Sequence, residues 1–290
     1  MLRAKRKMAG QSKIYVGTSG WSYPKGEGTW TGYFYPKGKI NELEYYSQFF
    51  DTVEINSSFY RPPNPGYVYN WARRVPQGFL FTVKLWQKFT HPKMYKEATG
   101  EEAVISQQDV DLFKRSLEPL VRYGKLGVLL AQFPPSFKND SFGQQILGAV
   151  IRTFREYRLA VELRHRSWSD DENTAGLLKE NNTAWVQIDE PKFPSSIAAE
   201  VPVTADMAYF RFHGRNAEMW WKGDSETRYR YLYSGNEINE LADKVKTASE
   251  QTSLTFALFN NHWQGYAPRN AVDMKKALQL PLTELPIELV

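Results

Sequence analysis

In the stretch VELRHRSW, residues 161 to 168, an apolar run carries Glu162 and Arg164 two positions apart. Side chains two apart in a strand share a face, so both charges point the same way. An isolated ion in an apolar interior loses more solvation than it regains, so such a pair either neutralises itself or serves a ligand. Comparable polar residues stand late in other apolar runs: Glu54 and Asn56, Thr82 and Lys84, Gln132, Gln187 and Asp189, Arg211 and His213, and Asn260. Their chemistry would be proton transfer on an anion. Arg164, Arg211 and Lys84 would grip phosphate or carboxylate by charge-assisted hydrogen bonds. Glu54 or Glu162 is the expected general base, with His213 or another carboxylate, Asp189 included, as acid, because burial and neighbouring charge set carboxyls to different pKa values. Asn56, Gln132 and Asn260 would orient the substrate.

Eight apolar runs position these residues: 13–20, 52–59, 78–85, 126–133, 159–166, 183–190, 207–214 and 254–261. The segments between them are too long for hairpins and mostly carry a helical period, which predicts right-handed crossovers between parallel strands. In DVDLFKRSLEPLVRYG the face is Leu112, Phe113, Leu117, Leu120 and Val121; in FGQQILGAVIRTF it is Ile146, Leu147, Val150, Ile151 and Phe154. The sixth connection, PKFPSSIAAEVPVTAD, bears prolines and no clear helix. The expected fold class is therefore α/β, a single-domain (β/α)8 TIM-type barrel over 13–290 with its sixth helix short or missing. A doubly wound open sheet would call for a Gly-rich phosphate turn after the first strand, and GTSGW is not that fingerprint.

In such a barrel the site lies at the C-terminal strand ends, where the polar residues above share one parity within each strand. Their alternates, Val53, Ile55, Val83, Val161, Leu163, Ile188, Phe210 and Phe212, are expected to face the helices. Three acids against three fixed bases are also compatible with a self-neutralised plug, although such networks contribute little net stability. Aromatics follow the strands closely: Trp21, Trp30, Trp86, Trp168, Trp220, Trp221 and Trp263, with Tyr23, Tyr60 and Tyr266. Rings at a barrel mouth stack on sugars or bases, and Trp21, Tyr60 and Trp168 are the expected stackers, with His91 of the third loop as a further contact.

With 290 residues, 42% apolar and 15% aromatic, the chain can bury a sizeable core. No apolar run reaches the length of a membrane span, and cysteine is absent, so disulfides and thiolate chemistry are excluded and a cytosolic location is expected. Arg3, Lys5, Arg6 and Lys7 carry four of the five net positive charges, so residues 1–12 read as a flexible basic leader on a nearly neutral body. No H-x-x-x-H pairing, nucleophile elbow or phosphate loop occurs, and no cofactor motif is found. Glu54, Glu162, Asp189 and His213 together would suit one divalent ion, which keeps a single-metal phosphodiesterase open.

GTSGWSY (17–23), VEINSSFYRPP (53–63), FTVKLWQKFTHP (81–92), LLAQFPPSF (129–137), AVELRHRSW (160–168), AYFRFHGR (208–215) and LFNNHWQGYAPRNA (258–271) resemble, in order, the "domain of unknown function 72" family, the YecE-like proteins. The resemblance implies a TIM-type barrel with a cleft at the strand ends and implies no reaction. The expected function is a hydrolase or lyase acting on a small anionic, ring-containing ligand or a nucleic-acid end. A non-catalytic module for single-stranded nucleic acid is the alternative.

Overall fold

Nine parallel strand segments form one ring in the computed structural model, which describes residues 12–224 and 227–283. They are β1 (Lys13–Ser19), β2 (Thr52–Ile55), β3 (Leu80–Lys84), β4 (Leu126–Gln132), β5 (Leu159–Glu162), β6 (Ala184–Trp185), β7 (Gln187–Asp189), β8 (Met207–Phe212) and β9 (Leu254–Phe259). Each pairs with its sequence neighbours except β6 with β7, and β1 also pairs with β9. Segments β6 and β7 are halves of one strand on either side of Val186. The first half pairs with β5 and the second with β8, so the ring closes through this strand and the eightfold plan holds.

The helices are α1 (Glu42–Tyr46), α2 (Pro65–Arg74), α3 (Gln87–Thr90), α4 (Pro92–Thr99), α5 (Gln107–Arg122), α6 (Ser141–Phe154), α7 (Glu172–Glu180), α8 (Gly235–Ser249) and α9 (Tyr266–Ala277). Between β7 and β8 there is none, as the prolines of that connection predict. Capping boxes start α5 and α8, at Ser106 with Asp109 and at Ser234 with Glu237. The buried stripe of α5 is narrower than its sequence suggests: Val110, Phe113, Leu117 and Leu120 face the barrel, while Leu112 and Val121 are exposed.

Cross-strand register fixes which residues face the axis. Glu54 pairs with Thr82, Gln132 with Glu162, and Arg211 with Leu258, so these share the inner surface. The lower barrel is filled by rings, with Tyr15 stacked on Phe256 at 5.0 Å and Tyr209 on Phe256 at 5.9 Å. No helix of the described residues is long and apolar enough to cross a membrane, and the basic leader lies almost wholly outside them, only Ser12 being described.

Candidate functional site

Arg211 organises the floor at the C-terminal strand ends. Its Nη2 donates to Glu54 Oε1 at 2.6 Å and its Nε to Glu54 Oε2 at 3.1 Å. Its Nη1 donates to Glu162 Oε2 at 2.6 Å and to Gln132 Oε1 at 3.3 Å. Tyr209 lies 2.9 Å from Glu54 Oε2 and 2.8 Å from the Thr82 hydroxyl. One phenolic proton serves one acceptor, so Tyr209 donates to the carboxylate and accepts from Thr82. Glu54, Glu162 and Arg211 are sealed from solvent and mutually satisfied. Burial would raise Glu162, but the charges of Arg164 and then Arg211 outweigh it and hold that carboxyl well below the usual range.

Arg164 forms the next level. Both Nε and Nη2 lie 2.6 Å from Glu162 Oε1, and Nη1 stands 3.6 Å from Glu190 Oε2. Its side chain keeps 10% exposure, toward the mouth. His213 is buried beside it. Nε2 faces Arg164 Nη2 at 3.2 Å and Arg211 Nη1 at 3.5 Å, and guanidinium groups only donate. Nε2 is therefore the acceptor of a neutral ring, and Nδ1 carries the proton. The Asn260 amide lies 2.9 Å from Nδ1 and satisfies it once its oxygen is turned to the ring, an isosteric half-rotation. Burial, then the Arg211 charge, lower His213 to about 3. His213 thus accepts from the arginines and has no spare proton for general-acid work.

Two groups at this level stand apart from the balanced network. Lys84 Nζ sits 4.0 Å over the Phe59 ring, and among the described residues it has no carboxylate within 4.0 Å and no hydrogen-bond acceptor. Other little-exposed lysines are capped: Lys125 Nζ donates to Ala72 O at 2.7 Å, Lys275 to Phe49 O at 2.8 Å, and Lys88 to Asp109 at 2.9 Å. Burial, then the Arg211 charge, lower Lys84 to about 7. Glu190 is buried too, and its Oε2 accepts no hydrogen bond. Burial raises its carboxyl pKa, against the pull of Arg164. Ser19 Oγ, which faces inward, and Asn56 Oδ1 are likewise buried without a hydrogen-bond partner.

Glu190 is the residue that sequence parity missed. Ile188 pairs with Arg211 and therefore faces the axis, which places Glu190 inside and turns Gln187 and Asp189 outward, opposite to the expectation. The outward polar residues have partners because a non-helical segment and a loop cover them. Gln187 bonds both backbone groups of Val201, and Asp189 accepts from Arg215 at 2.8 and 3.0 Å and from Tyr233 at 2.7 Å. Asp189 accordingly lies outside the proposed site. An Asp-Glu doublet ending a strand gives one acid to each face, and only cross-strand register decides which.

Two expected stackers also lie elsewhere. Gly20, at φ 94°, turns the chain outward, and Trp21 packs edge-on against Trp71 at 5.2 Å and Phe81 at 6.4 Å. Trp168 is buried against Phe137 at 5.3 Å, with Nε1 donating to Phe137 O. Trp30, Trp86 and Trp263 are buried as well. The rings at the mouth are instead Tyr23, stacked on His262 at 4.7 Å, with Tyr229 and Trp220 beside His213. Across from them Tyr60 is 69% exposed, and His91 meets Phe59 edge-on at 4.9 Å. Lys84, Asn56, Gln132 and Arg164 are only partly buried, so solvent touches them.

A shared metal site does not assemble from the four residues named for it. The oxygens of Glu54 and Glu162 face guanidinium groups and Asp189 faces away; among the described residues no group of three or more His, Asp or Glu side chains could hold an ion.

The chain is 30% identical over 284 residues to the UPF0759 protein YunF of Bacillus subtilis (strain 168), covering 94% of this chain and 97% of that one. Among solved structures, a DUF72 family protein from Thermotoga maritima MSB8 superposes with a TM-score of 0.80 at 37% identity, covering 92% of this chain and 99% of that one. A DUF72 family protein from Enterococcus faecalis V583 gives 0.79 at 28% identity, covering 94% and 98%. The family model described as "Protein of unknown function DUF72" matches residues 15–288, and the chain belongs to that family.

Proposed function

We propose that this protein is an acid/base enzyme, a hydrolase or lyase, that acts at the barrel mouth on a small anionic, ring-containing molecule such as a phosphorylated sugar or a nucleotide. The observation that carries this reading is that Lys84 and Glu190, each beside the network of Arg164, lie outside its balance of charge. Arg164 and Arg211 balance Glu54 and Glu162; beside that network Glu190 Oε2 is buried without a hydrogen-bond partner, and Lys84 Nζ rests on the Phe59 ring. Lys84, lowered to about 7, exists near neutrality both as ammonium and as free amine. Glu190 keeps its proton to higher pH than an ordinary carboxyl. Groups shifted in this way suit the base and acid roles of proton transfer. Arg164 Nη1 and the Lys84 ammonium would hold the anion, Asn56 and Gln132 would orient it, and Tyr60 and Tyr229 would stack on its ring. A cytosolic site of action is part of the same proposal.

The test is turnover of a panel of sugar phosphates and nucleotides, followed by NMR, in the parent and in Glu190→Gln. The reading expects at least one substrate to be converted, with kcat reduced at least about a hundredfold in the variant, the usual scale of general acid/base catalysis. Binding without conversion of any panel member, with affinity unchanged in Glu190→Gln, would point to a non-catalytic binding module.

A further inference from the structure

We infer that Glu190 and Arg164 form a subsite for a ligand hydroxyl, which sets the hydroxyl-bearing edge of a sugar ring at the end of β7. This narrows the reading of the same mouth, on which it rests, from anionic rings in general to polyhydroxylated ones. Arg164 spends Nε and Nη2 on Glu162, with Nη2 also facing His213, and turns Nη1 toward Glu190. The 3.6 Å between Nη1 and Glu190 Oε2 is too long for a hydrogen bond, and Oε2 is buried with no other partner. A buried acceptor left unfilled bears the full cost of its desolvation. The other acids of the floor have no such gap: Glu54 accepts from Arg211 and Tyr209, and Glu162 from both arginines. The side chains of Arg164 and Glu190 keep 10% and 5% exposure, so solvent touches both.

Complementarity decides what fits between the two groups. A guanidinium only donates hydrogen bonds and an ionised carboxylate only accepts them. A phosphate or carboxylate oxygen suits Nη1 but meets Oε2 as a second acceptor of like charge, and an ammonium suits Oε2 but is repelled by Arg164. A hydroxyl serves both at once, giving its proton to Oε2 and taking one from Nη1. Nη1 carries two N–H bonds, so one remains for the anion of the same ligand, and the hydroxyl lies near that anion. Two further oxygens at the strand ends have the same need. Ser19 Oγ, on the residue paired in register with Glu54, and Asn56 Oδ1 are buried without a partner, and both can accept. A fully ionised anion has no proton to offer them, whereas a polyol has several.

The experiment compares two phosphates by calorimetry on the full chain near neutral pH. One is ribose 5-phosphate; the other is cyclopentylmethyl phosphate, with the same anion and a five-membered ring but no hydroxyl. The parent should favour ribose 5-phosphate, and the ratio of the two affinities should fall at least about tenfold in Glu190→Leu, the scale of one hydrogen bond to a charged group. The loss should come from ribose 5-phosphate, with the hydroxyl-free phosphate bound no more weakly than by the parent. Glu190→Gln, which keeps an acceptor oxygen without the charge, carries the test if the leucine variant folds poorly, and its ratio should also lie below the parent's. A ratio unchanged in both variants would overturn the inference, because a gap filled by water or a plain ion pair predicts that result. Binding of both phosphates by the parent without preference removes the hydroxyl subsite and leaves the anion site standing. Binding of neither removes both.

Discussion

Arg211 and Glu54 meet across the barrel through two parallel hydrogen bonds, Nη2 to Oε1 at 2.6 Å and Nε to Oε2 at 3.1 Å, with both side chains buried. The same guanidinium also neutralises Glu162, so one cation holds two acids. Removing one partner of a buried ion pair leaves an uncompensated charge, at about 3–5 kcal/mol. Arg211→Met should therefore destabilise by at least that amount and by more than Glu54→Gln, because it strands two carboxylates. The Arg211→Met, Glu54→Gln double variant should recover part of the loss. Urea denaturation of the four proteins measures this, and additive losses would contradict it.

Acid should weaken the fold beginning well above the carboxylate range. Folded His213 is lowered to about 3 against about 6.5 in an unfolded chain. Between those values the unfolded chain holds a proton that the folded one does not, so stability falls as pH drops, at up to about 1.4 kcal/mol per unit. His91, also lowered to about 3, acts in the same window. Glu162, held low, adds its own loss below about pH 4.3. Unfolding free energies at pH 4 to 8 should slope downward toward acid, and less steeply in His213→Gln.

Two lysine variants should move stability in opposite directions. Lys84 is lowered when folded, so its ammonium opposes folding below about pH 7, and that penalty fades as pH rises toward the unfolded value of about 10.4. Lys84→Met should raise stability at pH 6 by about 1 kcal/mol or more, the scale of a one-unit depression. Lys125→Met strips the Ala72 and Val75 carbonyls of a donor and should cost about 1–3 kcal/mol. Thermal melts at pH 6 compare them directly.

Adjacent acids at the end of the sixth strand should separate cleanly. Asp189→Ala deprives Arg215 and buried Tyr233 of their acceptor, costing about 1–3 kcal/mol of stability, and leaves ribose 5-phosphate binding as in the parent. Glu190→Gln should shift the pH dependence of that binding with little change in stability. Calorimetry beside denaturation distinguishes them, and a ligand effect confined to Asp189 would reverse the assignment.

Much of this arrangement was legible in the chain because burial enforces period-two patterning on strands. Strands carrying Glu54, Lys84, Gln132, Glu162, Arg211 and Asn260 alternate strictly, so parity placed those residues on one surface. The sixth strand misled because polarity normally marks the inner face at a barrel mouth. Here the missing helix leaves a backbone-rich cover able to bond Gln187, and Arg215 draws Asp189 outward. Trp21 and Trp168 misled for a different reason: sequence shows that they follow strands but not that a turn at Gly20 or a stack on Phe137 sends them to the outer layer. Glu162 looked like a base by type, yet two arginines fill both its oxygens.

The titration of Lys84 itself is the most direct measurement of whether this mouth holds a poised amine. Carbon-13 NMR of the lysine ε-carbons, with Lys84 assigned from the signal lost in Lys84→Arg, reads it without a substrate. A midpoint near 7 is the predicted result. A midpoint at the ordinary lysine value, about 10.4, would contradict the account.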